Sequence, residues 1–302
     1  MIVILGPTAT GKTTIATHLA ANIHGEIISA DSRQVFSGMD IGTGKDLSEY
    51  VVNGVEIPYH LIDIAQPGME YSVFDFQTDF YKAYDQIIAN GNIPILCGGT
   101  GLYLESVICA YPMAKVPVNE ELRASFVNKS LEQLSEMLAN MKNLHNQTDT
   151  EDRGRVIRAI EIETYSRENA DEIEKSRRII EPMTVFGVDF DREIVRQRIT
   201  KRLKERLENG MIDEVQRIFE SGVSHERLQR YGLEYRYVSL FLDNKIDYNT
   251  MFKELNIAIH QFSKRQKTWF RRMESKGIVI NWIDGSENIV NILKNIHDIS
   301  NV

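Results

Sequence analysis

Gly6-Pro7-Thr8-Ala9-Thr10-Gly11-Lys12-Thr13 is the stretch on which the reading of this chain turns. It follows the apolar run Ile2-Val3-Ile4-Leu5 and leads into Thr14-Ile15-Ala16-Thr17-His18-Leu19-Ala20, whose apolar spacing is helical. Strand, Gly-rich loop and helix, in that order, are what the phosphate-loop pattern G-x-x-x-x-G-K-[ST] requires. The two glycines are expected to let the backbone curl so that successive N–H groups face one anion. The helix N-terminus adds a partial positive charge and Lys12 a full one. Thr13 is placed to offer its hydroxyl to a Mg²⁺ bridging two phosphates. The loop therefore predicts a bound diphosphate or triphosphate and leaves its identity open.

Working outward, the segment Glu26-Ile27-Ile28-Ser29-Ala30 reads as a second strand with Asp31 at its carboxyl end. Ligand crevices of open parallel α/β sheets lie outside those ends, so Asp31 is expected to face the same crevice as Lys12. The polar, Gly-containing loop from Ser32 to Lys45 sits at the mouth of that crevice, where loops commonly carry function. Tyr59 to Ile64 reads as a strand. A helix from Ser72, with Asp75 as its capping partner, runs to Asn90-Gly91. Ile93 to Cys97 is a buried strand ending in Gly98-Gly99-Thr100-Gly101, a small-residue turn that either admits a substrate to the backbone or needs positive φ.

Between Pro112 and Pro182 the character changes to helices alone, over 120–128, 131–141 and 152–167. The core then resumes with a strand at 184–189 and helices from Asp191, over 211–221 and over 248–274. Arg230 to Arg236 is a polar-aromatic loop or helix start, and 278–283 is a last strand. The fold expected is α/β, a P-loop NTPase-like parallel sheet core with a helical insertion. Its parts are a first core segment, 1–112, an insertion, 113–182, and a second core segment, 183–302.

Composition narrows the class. Over 302 residues, 42% are hydrophobic and 26% charged, ordinary for a globular protein. No apolar run reaches the 18 or so residues that cross a bilayer, and the first strand starts at once, so neither membrane nor leader is expected. Cys97 and Cys109 have no metal-type spacing. A cytoplasmic monomer is the expectation. The net charge of −8 resides in residues 1–110, where 12 Asp and Glu face four Lys and Arg. The remainder is balanced, yet Arg192–Arg206 holds seven cations against two anions, and Lys264–Lys276 six against one. Such clusters permit a polyanion partner.

Taken together, GPTATGKT, DSRQVFSGMDIGTGK, YHLID, YSVFDF, GGTGLY, RVIRAIE and KRQKTWF resemble the tRNA dimethylallyltransferases, in the family's order over about residues 1–285. The resemblance implies transfer of a dimethylallyl group from dimethylallyl diphosphate to N6 of adenine 37, beside the tRNA anticodon, with Mg²⁺. It implies that Thr8 to Thr13 hold the donor's pyrophosphate and that Asp31 takes the N6 proton. Arg202 would grip the donor phosphates, and Ser32, Arg33 and Gln34 would touch the target base. Thr100 and Arg123 match positions that contact tRNA, as do the strip Gly154-Arg155-Val156-Ile157-Arg158 and the segment Tyr231-Gly232-Leu233-Glu234-Tyr235-Arg236. Two departures stand out. The family usually has Ile-Gly-Tyr where this chain has Leu233-Glu234-Tyr235, and Asn-Asp where it has Glu151-Asp152.

The chemistry is coherent. Positive charge develops on the allylic carbon as diphosphate leaves, so Lys12, Arg202, loop N–H groups and Mg²⁺ serve as clamps on the leaving oxygens. A carboxylate such as Asp31 can accept the amine proton. The sister activity on free adenine nucleotides would not need the insertion or the basic helices. A P-loop kinase would not need DSRQ or KRQKTWF. A catalytically impaired RNA-binding paralogue would not need Lys12, Thr13, Asp31, Thr100 and Arg202 together.

Overall fold

The computed structural model describes residues 1–141 and 152–300. Glu151, one of the two departures, lies outside the described residues. The chain forms two compact units, 1–109 with 180–302, and 110–179.

The first unit begins with β1 (Ile2–Leu5), α1 (Lys12–Ile23) and β2 (Gly25–Ala30), followed by a 3₁₀ turn, Leu47–Tyr50. A two-stranded hairpin, β3 (Val51–Val52) with β4 (Val55–Glu56), precedes β5 (Tyr59–His60), α2 (Val73–Ala89), β6 (Ile93–Gly98) and α3 (Gly101–Ile108). The second unit holds α4 (Glu120–Ser125), α5 (Leu131–Met141), α6 (Arg153–Glu168) and α7 (Ala170–Lys175). The first unit then resumes with β7 (Thr184–Asp189), α8 (Arg192–Glu208), α9 (Met211–Glu220), α10 (His225–Leu228), α11 (Leu233–Leu242), α12 (Tyr248–Ser275), β8 (Asn281–Asp284) and α13 (Ile289–Ser300).

The main sheet has the order β5-β2-β6-β1-β7-β8, and every pairing in it is parallel. β1 is buried along its whole length, because side chains of a strand alternate between faces and both faces are covered. Ile2 and Ile4 enter the core on one side, Val3 and Leu5 the core on the other. The register aligns Ala30 with Gly98 and Gly98 with Leu5. This brings the segments after β1, β2 and β6 to one edge.

Several expectations are refined. The strand expected over 59–64 stops at His60, because Leu61 and Asp63 adopt positive φ (63° and 58°) and turn the chain out of the ladder. The last strand begins at Asn281 rather than 278, since its partners Phe186–Asp189 pair with 281–284. The Ser72–Asp75 capping box forms at the start of α2. The hairpin, α7, α10 and α13 are additions that no motif announced.

The second unit has its own small core of Phe126, Leu134, Leu138, Val156 and Ile160. Beside that core, Glu161 is buried and bound by Arg123 Nε at 2.7 Å and Arg158 Nη1 at 3.0 Å, with a further donor in the Asn119 N–H. Hydrogen bonds from Arg123 and Arg158 outweigh the opposing effect of burial and hold its carboxyl down at about 2. A depressed carboxyl stabilises the fold above its ordinary value near 4.5 and loses that contribution as pH falls through about 2. At about 1.4 kcal/mol per unit this is roughly 3 kcal/mol. Between pH 4.5 and 2, wild type is therefore expected to lose more stability than Glu161→Gln. Denaturant midpoints of the two proteins across that range check it; identical pH profiles would refute it.

Candidate active site

The site is built at the carboxyl edge of the sheet. Gly11 caps α1 with φ of 71°, a conformation glycine adopts without penalty, and Ala9 precedes it at φ 64°. The backbone N–H groups of Gly11, Lys12 and Thr13 have no acceptor among the described residues, so the helix start is open to an anion. Gly6 is needed for a different reason than the curl expected of it. A Cβ there would stand 2.7 Å from the Val188 carbonyl oxygen on β7. Thr8 departs from the expected cradle too, because its N–H donates to Gln266 Oε1 at 2.8 Å.

Half-buried Lys12 folds over its own loop, Nζ donating to the Pro7 carbonyl at 2.8 Å, where Thr10 Oγ1 also donates. Burial lowers its pKa. Nearby Arg202 adds to that, while Asp31 and Glu49 oppose it. Thr13 is half-buried and its hydroxyl has no partner among the described residues.

Asp31 follows β2 directly. Its Oδ1 accepts the Arg33 N–H at 2.9 Å, an Asx turn that holds the carboxylate at the sheet edge. Its Oδ2 has no donor among the described residues, so one oxygen remains available as an acceptor. Thr100 comes from the end of β6 and binds the same strip, its Oγ1 accepting from Ser32 N at 3.0 Å and donating to Ser32 Oγ at 3.3 Å. Of the two readings of Gly98-Gly99-Thr100-Gly101, positive φ fails. None of its glycines has it, and each is required by close packing. Gly98 lies on the Ala30 backbone, Gly99 on Gln266, and Gly101 on the Trp269 ring.

Arg33 Nη1 reaches the Arg230 carbonyl at 3.0 Å, and Gln34 Nε2 the Gly44 carbonyl at 3.3 Å. The loop carrying these residues is held from beneath by Glu214 of α9. Its carboxylate accepts the consecutive N–H groups of Asp40, Ile41 and Gly42 at 2.7–3.0 Å, and the Tyr235 hydroxyl at 2.6 Å. Lys45, fully buried at its side chain, ties the other end of the loop to Asp40 and Asp63. Arg202 of α8 faces this loop, its Nη2 on Asp46 Oδ2 at 2.8 Å. Glu49, whose Oε2 accepts from Thr14 Oγ1 at 3.2 Å, has its carboxyl raised by burial and by Asp46.

Three expected RNA contacts need correction as side-chain contacts. Val156, Tyr231 and Tyr235 are buried in the hydrophobic cores, where no nucleotide can reach their side chains. Tyr231 packs on Phe36, ring centroids 4.7 Å apart, and its hydroxyl meets the Gly68 N–H. Arg123 and Arg158 carry their charge to Glu161, and Arg158 also donates to the Val116 carbonyl at 2.6 Å. Gly154, Arg155 and Arg236 are exposed, and Ile157, Gly232, Leu233 and Glu234 half-buried.

Residue reasoning missed Glu214, Asp46 and the bridging part of Gln266, whose Nε2 donates to the Gly99 carbonyl at 2.8 Å and so links the phosphate loop to β6. Gln266 had a signal in the KRQKTWF segment. Glu214 had none, being one acidic position on an ordinary helix.

A family profile described as IPP transferase matches residues 34–273, and one described as Isopentenyl transferase matches 1–59. The chain is 52% identical over 297 residues to the tRNA dimethylallyltransferase 2 of Bacteroides fragilis, covering 97% of this chain and 96% of that one. It is 51% identical to the tRNA dimethylallyltransferase 1 of Parabacteroides distasonis, covering 95% and 92%. Among solved structures, a tRNA isopentenylpyrophosphate transferase from Staphylococcus epidermidis superposes with TM-score 0.69 at 29% identity, covering 99% and 98%. A eukaryotic dimethylallyltransferase shares the fold with TM-score 0.81 at 22% identity, covering 100% of this chain and 78% of that one.

Proposed function

The chain belongs to the IPP transferase family, and from that premise we propose that it transfers the dimethylallyl group of dimethylallyl diphosphate to N6 of adenine 37, beside the anticodon of a tRNA. The observation that carries this reading is one sheet edge that holds an open anion cradle and a carboxylate with a free oxygen, with an arginine facing the loop that follows that carboxylate.

In the reaction the allylic C–O bond breaks as the bond from N6 to that carbon forms. Negative charge grows on the departing diphosphate and is met by the N–H groups of Gly11, Lys12 and Thr13, by Lys12 Nζ and by Arg202. The N6 proton passes to the unpartnered oxygen of Asp31. Thr100, through Ser32, holds the strip that follows Asp31 and so keeps that oxygen on the acceptor side. Thr13 is the ligand this chain offers to Mg²⁺, which when bound neutralises charge on the diphosphate. No cluster of three His, Cys, Asp or Glu cages an ion among the described residues, which suits a metal that takes its other ligands from phosphate and water.

For the acceptor, exposed Gly154 and Arg155 on α6 and exposed Arg236 on α11 remain available to an RNA backbone, with Ser32 to Gln34 facing the base. The decisive experiment incubates the protein with dimethylallyl diphosphate, Mg²⁺ and either unmodified tRNA or AMP, followed by nucleoside mass analysis. Prenylated adenosine is expected from tRNA alone. A product from AMP and none from tRNA would replace this reading by the free-nucleotide activity.

A further inference from the structure

We propose that Arg206, one helical turn beyond Arg202, forms with it a phosphate-binding subsite, and that Glu234 is its counter-ion, set too far away to occupy its donors. The proposal rests on the donor reading above and extends its phosphate site beyond Lys12 and Arg202.

Positions i and i+4 of a helix share a face, so Arg202 and Arg206 of α8 project together. With Glu205 and Asn209 of the same helix and its end they line a cavity of about 260 Å³, whose other wall is the loop residues Asp40, Ile41, Lys45 and Asp46. At Gly44 of that loop a Cβ would overlap the Arg206 guanidinium and stand 3.4 Å from Arg202 Nη2, so the loop runs directly over both groups.

The cations of this cavity differ in how they are used. Lys45 is consumed by Asp40 and Asp63, and Arg202 gives one Nη2 bond to Asp46. Arg206 is 19% exposed at its side chain, yet it makes no hydrogen bond among the described residues. Its nearest carboxylate oxygen is Glu234 Oε1 at 3.9 Å, beyond hydrogen-bond distance. A guanidinium presents five donors in a fixed fork, and those of Arg206 are only partly covered. Burial and the neighbouring charge of Arg202 lower the pKa of Arg206 and Glu234 opposes them, while the guanidinium stays protonated throughout. The structural consequence is a charged fork with its donors unspent, on the same cavity as the arginine assigned to the donor phosphates.

Glu234 stands where the resembling family usually has glycine. Its own environment explains what the carboxylate does here. It is 20% exposed, burial raises its pKa, and Arg206 is the first charge that counters this, ahead of Arg33. Without Arg206 the carboxylate would be buried with little to stabilise it, and without Glu234 two adjacent guanidiniums would repel across the cavity. Phosphate oxygens match the fork geometry of Arg206 and would complete what Glu234 leaves open.

The test titrates inorganic pyrophosphate, and separately an unmodified anticodon stem-loop, into wild type, Arg206→Gln, Arg206→Lys and Glu234→Gln by calorimetry, with melting temperatures in parallel. Arg206→Gln is expected to weaken pyrophosphate binding by about 10- to 100-fold, the loss of one or two charge-assisted bonds. Arg206→Lys, which keeps the charge but not the fork, is expected to recover part of it. Glu234→Gln, which removes a competing anion, is expected to tighten pyrophosphate several-fold even as the protein melts earlier. A loss confined to the stem-loop would keep the phosphate subsite and assign it to the RNA backbone. If Arg206→Gln leaves both ligands unchanged and merely lowers the melting temperature, Arg206 and Glu234 are a structural pair and the proposal falls. Failure of wild type to bind pyrophosphate at all would instead overturn the donor reading beneath it.

Discussion

Asp31→Asn is expected to lower the single-turnover rate of prenyl transfer by about 10²- to 10⁴-fold, the range that a positioned general base supplies. Asparagine has nearly the shape of aspartate and retains a side-chain oxygen, so it can still accept the Arg33 N–H that shapes the turn after β2. What it loses is the capacity of the second oxygen to take up a proton. Donor affinity and melting temperature are therefore expected to stay close to wild type. The opposite pattern, an early-melting protein that prenylates at the normal rate, would make Asp31 a turn-forming residue and send the search for the base elsewhere. Rapid-quench transfer to an unmodified stem-loop together with thermal melting distinguishes the two.

Lys12→Ala is expected to weaken pyrophosphate binding by about 100-fold or more, while the fold and the stem-loop affinity persist. Lys12 Nζ touches only the Pro7 carbonyl, which Thr10 also serves, so its removal leaves no buried acceptor unpaired. Its loss takes a full charge from a site where burial strengthens every electrostatic contact. Removing a charge-assisted bond alone accounts for about 1.5–3 kcal/mol, and the partly desolvated Coulomb term adds to it. Calorimetry with pyrophosphate reads the effect directly. Unchanged affinity would show that the diphosphate sits elsewhere, whatever the loop resembles.

The two variants bear on different halves of the chemistry, and the structure explains why they separate. Lys12 opens the helix that follows the loop after β1, and Asp31 belongs to the segment after β2, with β6 between the two strands and Thr100 just beyond its end. Gln266 from α12 bridges the phosphate loop to Gly99. The leaving group and the proton acceptor are thus held by different strands, set at one edge by parallel register.

The residues of the phosphate loop, the α/β alternation and the candidate base were legible in the sequence because each depends on short-range physics. A glycine before a helix, an apolar strand and a lysine at the first helical position need only their neighbours. Parallel strands place all carboxyl ends together, so the position of Asp31 after an apolar strand is enough to assign it to the crevice. Tertiary structure alone decided which charges are free. Arg123, Arg158, Arg202 and Arg206 look alike in sequence, but the first two are bound to buried Glu161 and the third to Asp46. The fourth meets its nearest carboxylate, Glu234, only at 3.9 Å. Likewise, nothing local distinguishes Glu214, which becomes the cradle of three loop N–H groups because α9 packs beneath residues far away in the chain. An ion pair or a carboxylate cradle depends on distances of a few ångströms between distant segments, and only the packing of the whole sheet and its helices sets those.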